Sequence, residues 1–468
     1  MGQGGILVLD VGKTNAKLSL WSRDGRLLGA VSRANAEAQA EGYLALDVAG
    51  VRGWLMEGLR HFASAHQIDA IVPIAHGAAA AFVADGRLAA PIMSYETDIP
   101  PSGAYQRARD AFADTGSPIL PNGLNLGAQL QHLSELRPDL YQGDAQIMPY
   151  PQFWAWVLSG VGASEVSSLG CHTDLWRVRE QRFSNLADAA GWDKRFASVR
   201  RAADVLGPIR PEIAAETGLS PDCLVYCGAH DSNAAFYGAR AHPMLHGRDV
   251  TVVSTGTWFV AMRAPKVGDP GPGDLSAHRD TLINVGVDGQ LIPSARFMGG
   301  REMEALIGSD DSPMRTPQFA REIAPESMPE VFASGAMILP TFARGVGPFP
   351  DGEGRWSGGE LQGAARRAAA GVYLALVTDA SLSLIGARDA IVVEGRFAED
   401  MSFLLMLAAL RRDSDIYASK AEDGIAYGAL RLVDSSFRPQ TSLNKIEPVP
   451  NDISFYVARW RALAAGRA

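Results

Sequence analysis

The apolar positions of this chain run in two rhythms. Residues 4–10 carry a continuous apolar run, Ile6-Leu7-Val8-Leu9, that ends in Asp10. After the turn Val11-Gly12-Lys13-Thr14-Asn15, the next stretch alternates, with Ala16, Leu18 and Leu20 against Lys17, Ser19 and Trp21. A period of two predicts a strand. Asp24-Gly25 then signals a hairpin turn, and Leu27-Leu28 opens a third strand. The same plan returns in the middle of the chain. A strand, Val250-Thr251-Val252-Val253, breaks at Ser254-Thr255-Gly256-Thr257 and resumes as Trp258-Phe259-Val260-Ala261-Met262. One copy per half of the chain predicts two related domains, each offering a turn to one ligand.

Elsewhere helical and strand patterns alternate. Residues 51–66 have helical periodicity, and 68–74 read as a strand ending in Ala75-His76-Gly77. Helices are predicted over 124–136, 152–158 and 212–217, the last closed by Gly218. The run Leu224-Val225-Tyr226-Cys227 is a strand that stops at Gly228-Ala229-His230-Asp231, and a small-residue helix follows over 233–239. Later come a strand at 337–339, a Gly- and Pro-rich loop over 342–359 and a long helix over 361–385. A strand at 390–393 ends in Glu394-Gly395-Arg396-Phe397, and helices over 401–411, 424–433 and 455–465 complete the chain. The alternation predicts an α/β fold. The polar link around 242–247 divides it into domains 1–243 and 244–468.

Composition narrows the class. The 468 residues exceed one ordinary core. Apolar content of 47% and charged content of 20% describe an ordinary folded protein. A net charge of −9 argues against nucleic-acid and anionic-membrane partners, though not against a small anion held by local groups. Cys171, Cys223 and Cys227 follow no metal-ligand spacing, and their odd number fits a reducing cytosol. No charged-then-apolar leader opens the sequence and no apolar run is long enough to cross a bilayer, so a cytoplasmic protein is expected. Met1-Gly2 resembles a myristoylation start, but Ile6 stands where Ser or Thr is needed.

Chemistry enters at the strand ends. The Asp231 carboxylate can take a proton from an alcohol. Turns of small and hydroxyl residues can present backbone N–H groups to phosphate. Together they point to phosphoryl transfer. Gly12-Lys13-Thr14 is not a Walker A loop, because Leu7 occupies the place of its first glycine and a strand follows the turn. Bland alternatives stand beside each reading. Asp231 could serve as a helix N-cap, Asp10 could be turn chemistry, Lys13 a solvated turn residue, and a lone histidine structural. Trp154, Trp156, Cys223 and Cys227 read as core.

The order of these motifs resembles the FGGY family of carbohydrate kinases, within the actin-like ATPase superfamily, over nearly the whole chain. Residues 7–17 resemble its first phosphate motif. Leu158-Ser159-Gly160 with Ser164-Glu165 and Ser167-Ser168 is similar to a helix-end segment. Residues 214–219 and Gly228-Ala229-His230-Asp231 resemble the approach to the catalytic acid, and Ser254-Thr255-Gly256-Thr257-Trp258 the second phosphate motif. The serine, glycine and tryptophan of that last motif are most like the L-fuculose and L-rhamnulose kinase branch. The resemblance implies two actin-like (ribonuclease H-like) domains flanking a central cleft, the first binding sugar and the second ATP.

Roles follow by position. Asp231 would be the base, and Asp10 would hold Mg2+. Gly12, Lys13, Thr14 and Asn15 would face the transferring phosphate, and Thr255, Gly256 and Thr257 would hold phosphates from the second domain. Gly395 and Arg396 would meet the adenosine, where relatives carry consecutive glycines. His76, Gly77, Tyr95, Glu96 and His230 would meet the sugar. The expected activity is transfer of the γ-phosphate of Mg-ATP to a hydroxyl of a ketose or polyol of the L-fuculose, L-rhamnulose or xylulose type. The alternative is a catalytically weak sugar- or nucleotide-binding regulator. Many such proteins are homodimers, which the resemblance extends to this chain.

Overall fold

The structure, a computed structural model, describes residues 4–266, 268–269, 275–309, 311–419, 423–449 and 452–466. The chain forms two compact units. Unit one comprises Met1–Met244, Ile283–Leu291 and Asp423–Gln440, and unit two Leu245–Leu282, Ile292–Glu422 and Thr441–Ala468.

Unit one is built on a seven-stranded sheet. Its order is Val205–Pro208, Leu224–Tyr226, Ile68–Ala75, Gly5–Val11, Asn15–Trp21 and Leu27–Ala34, with Ala229–His230 also paired to Ile68–Ala75. Gly5–Val11 runs parallel to Ile68–Ala75 and antiparallel to Asn15–Trp21. Its run Ile6-Leu7-Val8-Leu9 is wholly buried, as a central strand covered on both faces requires. The Asn15–Trp21 strand alternates as its sequence predicts, yet Ser19 and Trp21 are buried as well. The reason is the helix Gly424–Val433, whose Tyr427 meets the Trp21 ring edge-on at 5.8 Å. The Trp21 indole N–H donates to Ser19 Oγ at 2.8 Å, which satisfies both polar groups.

The helix Val48–Ala63 starts three residues before the predicted 51, because Asp47 accepts the Gly50 N–H at 2.8 Å and caps it there. The hairpin Glu37–Ala40 with Tyr43–Leu46, and the pair Ala80–Ala84 with Gln146–Pro149, have too few residues each for a period to register.

The helix Asp231–Ala239 lies against Gly424–Val433 through small residues. A Cβ on Gly238 would sit 2.4 Å from Gly424 O, and one on Gly428 would sit 1.9 Å from Ala234 O. No side chain fits between these backbones. Gly428→Ala is therefore expected to destabilise unit one by about 1–3 kcal/mol, as overpacking does elsewhere, read as a lower unfolding midpoint. An unchanged midpoint would show that the helices can part without cost.

Unit two repeats the plan. Within its seven-stranded sheet, Val250–Thr255 runs antiparallel to Phe259–Ala264 and parallel to Ala390–Gly395. Leu291–Phe297 pairs with Phe259–Ala264, and Asp415–Ala418 with Ala390–Gly395. The strand hairpin with a later parallel partner thus recurs, as the internal repetition predicts. The long helix Gly363–Leu384 is buried along most of its length against this sheet's core cluster. Inside the predicted 342–359 loop, Arg355–Ser357 forms a strand paired to Met337–Leu339, an element that only its distant partner makes regular.

Candidate active site

In unit one, strand ends gather the chemistry. Asp10 is the sixth residue of Gly5–Val11, and Asp231 opens the helix after Ala229–His230. Both carrying strands pair in parallel with Ile68–Ala75, so their carboxyl ends converge. Gly228 makes this possible. Its φ is +76° and a Cβ there would sit 1.8 Å from Pro73 O, so only glycine turns the chain at that point.

Asp10 Oδ1 is buried and accepts no hydrogen bond. Burial first, and then the charge of Asp231, push the Asp10 carboxyl up to about 7, against the pull of Lys17. An orphaned carboxylate oxygen beside a second carboxylate is a fitting place for a hard divalent cation. Among the described residues no three His, Cys, Asp or Glu side chains gather as a metal-ligand set. Mg2+ is commonly held by one or two carboxylates, waters and substrate phosphates.

Asp231 is not an N-cap. The capping position belongs to His230, whose side chain makes no capping bond, and Asp231 is the first helical residue. Its Oδ1 accepts the Ser232 N–H at 2.5 Å and stands 3.1 Å from His230 Nε2.

His76 is buried, and neither ring nitrogen has a hydrogen-bond partner. Burial pushes it down to about 4, with the Asp231 charge opposing and His230 and Lys13 assisting. The Tyr95 ring meets it edge-on at 5.4 Å, and Tyr150 lies at 4.9 Å. Tyr95 is itself pushed up to about 12 by burial and then by the charges of Glu96, Asp231 and Glu37. His76, Tyr95, Glu96 and Asp231 therefore share one electrostatic neighbourhood.

Lys13 is placed differently from the expectation. Its ammonium is 2.6 Å from Glu37 Oε1 and 3.4 Å from Glu96 Oε2, so two carboxylates hold it rather than solvent or an open turn. Burial opposes the Glu37 charge, but Lys13 and the Ser94 hydroxyl outweigh it and keep that carboxyl below its ordinary range. Glu37 escaped the sequence reading because its short hairpin carries no motif.

Gly77 lies beneath the His230 ring. A Cβ there would come within 2.9 Å of its Cδ2, which makes Gly77 a packing requirement. In the first turn, the Gly12 N–H donates to Asn15 O at 3.0 Å, and Thr14 and Asn15 are exposed. The Ser164-Glu165-Ser167-Ser168 segment supports the acid from behind. Glu165 is fully buried and accepts bonds from Ser167 N, Ser167 Oγ and Ser168 N, and Ser167 Oγ in turn accepts the His230 N–H at 3.2 Å.

Unit two holds its own pair of cavities. One of about 540 Å³ is lined by Gly395, Arg396, Phe397, Arg367 and Asp400 among others. Another of about 610 Å³ is lined by Gly256, Thr257, Gly300, Arg301 and further residues, and the two share Arg315 and Arg396. Gly395 has φ +83°, and a Cβ on it would sit 2.3 Å from Thr255 O, so this glycine joins the two parallel strands. The Thr255 hydroxyl donates to Glu394 O at 2.5 Å and accepts the Phe397 N–H at 3.0 Å. That side chain is thus engaged in holding the turn, while Gly256 and Thr257 line the cavity. Glu394 is buried, which pushes its carboxyl up to about 7.

Among the described residues, no helix is long and apolar enough to cross a membrane. Residues 247–441 match the model of the FGGY carbohydrate kinase C-terminal domain. The chain is 24% identical over 288 residues to an L-fuculokinase of Salmonella typhi, a match spanning 56% of this chain and 57% of that protein. A carbohydrate kinase from Novosphingobium aromaticivorans is 44% identical with a TM-score of 0.93, over 100% of this chain and 99% of that one. A gluconate kinase from Lactobacillus acidophilus shares the fold at 15% identity, with a TM-score of 0.77 over 99% of this chain and 96% of that one. Two repeated α/β units, an acidic pair at converging strand ends and these likenesses lead to one assignment: the chain belongs to the FGGY family of ATP-using carbohydrate kinases, within the actin-like ATPase superfamily.

Proposed function

We propose that this protein transfers the γ-phosphate of Mg-ATP to a hydroxyl of a ketose or related polyol of the L-fuculose, L-rhamnulose or xylulose type. The observation that carries it is the Asp10 and Asp231 pair: Asp10 Oδ1 is buried and unpartnered, and the Asp231 charge acts on both Asp10 and the buried, unpartnered His76. Asp231 takes the proton of the attacking hydroxyl as its oxygen bonds to the γ-phosphorus. The bond to the β-phosphate oxygen breaks, and ADP leaves. Asp10 would hold Mg2+, which neutralises phosphate charge when bound. His76 can give one hydrogen bond and take one, so it suits a hydroxyl; Tyr95 meets its ring edge-on, and the Glu96 charge acts on Tyr95. Lys13, held by Glu37 and Glu96, adds a positive charge at the rim of this acceptor site.

The nucleotide is assigned to unit two, with adenosine in the cavity at Gly395 and phosphates along Gly256, Thr257 and Arg396. Both cavities are of ligand size. The division of labour follows the two units, which depart from a single cut after residue 243 because Ile283–Leu291 and Asp423–Gln440 pack with unit one, with the cytoplasm as the site of action and a homodimer as the assembly.

The test is Mg-ATP consumption across a panel of ketoses and polyols that includes L-fuculose, L-rhamnulose and D-xylulose. Turnover of one member is expected. Silence across the panel by folded protein would overturn the proposal. Sugar binding without nucleotide binding, seen by calorimetry, would favour the regulator.

A further inference from the structure

We propose that Asn233 and His230 form a positioning relay that aims Asp231. Asn233 fixes the His230 tautomer, and the protonated Nε2 edge of the ring then attracts one carboxylate oxygen and leaves the other for the substrate proton. The proposal rests on Asp231 acting as the base. It replaces a sugar contact for His230 with a positioning role and brings in Asn233, which no motif marks.

The geometry permits one consistent arrangement. His230 Nε2 stands 3.1 Å from Asp231 Oδ1. An ionised carboxylate only accepts, so a proton on Nε2 is attracted and a bare lone pair there is repelled. On the other side of the ring, Asn233 Nδ2 lies 2.9 Å from His230 Nδ1. With Nε2 protonated and the imidazole neutral, Nδ1 is an acceptor and the Asn233 amide donates to it. A reversed amide would put a carbonyl against Nδ1 and demand a proton there. In a neutral ring that would leave the Nε2 lone pair facing Asp231. Burial disfavours an imidazolium that would satisfy both sides. The partner of one ring nitrogen thus decides what the other does.

The ring has little room to choose otherwise. His230 and Asn233 are both buried. Gly77 lies against the ring, the His230 backbone N–H is tied to Ser167 Oγ, and Gly228 sets the turn that delivers both residues. The spacing follows from the helix. His230 is the N-cap and Asn233 the third helical residue, so one turn brings the amide back over the ring. Asp231 lies between them, at the start of that turn. With Oδ1 also accepting the Ser232 N–H, one oxygen is immobilised and the other is left to the substrate.

Two amides separate this role from its rivals. In His230→Gln the amide N–H falls where Nε2 was and can still serve Asp231. In His230→Asn it falls where Nδ1 was and cannot. With the sugar that the panel identifies, His230→Gln is expected to keep kcat within about threefold of wild type. His230→Asn and Asn233→Leu should lower kcat about 10- to 100-fold, with the sugar KM little changed. A merely structural histidine would make the two amides equal, and a sugar contact would move KM. Equal kcat for the two, or a change confined to KM, overturns the relay.

Nitrogen-15 NMR of the ring tests the tautomer without turnover, with the His230 signal assigned by its loss in either variant. Wild type should show a protonated Nε2 and a pyridine-like Nδ1, and Asn233→Leu should lose that preference. A protonated Nδ1 in wild type refutes the proposal even if no sugar is turned over. The predicted tautomer in an inactive protein would leave the arrangement standing and count only against the kinase assignment.

Discussion

Asp231→Asn should lower kcat about 100- to 10,000-fold on whichever sugar is turned over, the range that a positioned general base supplies. The substitution keeps the shape of the side chain and one carbonyl oxygen. That oxygen can still accept the Ser232 N–H and face His230 Nε2, as Oδ1 does in the native chain. The helix start does not depend on the side chain as a cap, since the capping position is His230. Fold and sugar binding should therefore survive, and the loss should fall on kcat. The amide has no basic lone pair to receive the proton. Residual activity above one tenth of wild type would mean that the hydroxyl loses its proton to another group or to the phosphate itself.

Asp10→Asn should abolish Mg-dependent turnover while stabilising the free protein at alkaline pH. The native carboxyl sits at about 7 against an ordinary value of 3.8, chiefly through burial. Between about pH 4 and 7 the unfolded chain ionises this group and the folded chain keeps it protonated. The unfolded state then binds fewer protons, and stability falls as pH rises, by up to about 1.4 kcal/mol per pH unit from this group. Asparagine carries no charge at any pH and escapes that cost. The difference in unfolding midpoint between variant and wild type should be largest at pH 8 and vanish toward pH 4. Mg2+ with ATP should raise the wild-type midpoint by more than that of the variant, which keeps the nucleotide cavity of unit two but loses the Asp10 share of Mg2+ binding, because binding to the native state alone stabilises it. A variant no more stable than wild type at pH 8 would show that Asp10 is better solvated than its burial implies.

These expectations depend on different parts of the chain, and the parts were unequally readable. The strands around Asp10 and Thr255 announce themselves by period and by the turns that break them, because side-chain alternation and turn chemistry are local. Helices with glycine stops, such as Pro211–Thr217 before Gly218, are equally local. The helix Val48–Ala63 begins earlier than the expected 51 because Asp47 caps it, and it ends at Ala63, three residues before the expected 66. Asp10, Asp231 and Gly256 could be marked as candidates because each stands at the end of a readable strand, and Gly395 by the family resemblance.

Contacts between residues far apart in sequence could not be read in this way. Nothing near Lys13 indicates that Glu37 and Glu96 hold its ammonium. Nothing near Thr255 indicates that its hydroxyl bonds Glu394 O and the Phe397 N–H. The burial of Trp21 depends on a helix some four hundred residues later. The sequence by itself determined the α/β plan, its duplication and the acids at the strand ends, since these follow from short-range periodicity and turn geometry. Tertiary structure alone decided which way each side chain turned, which carboxyls burial would perturb and which His230 nitrogen faces Asp231. Those depend on desolvation and on partners that approach only when the chain has folded.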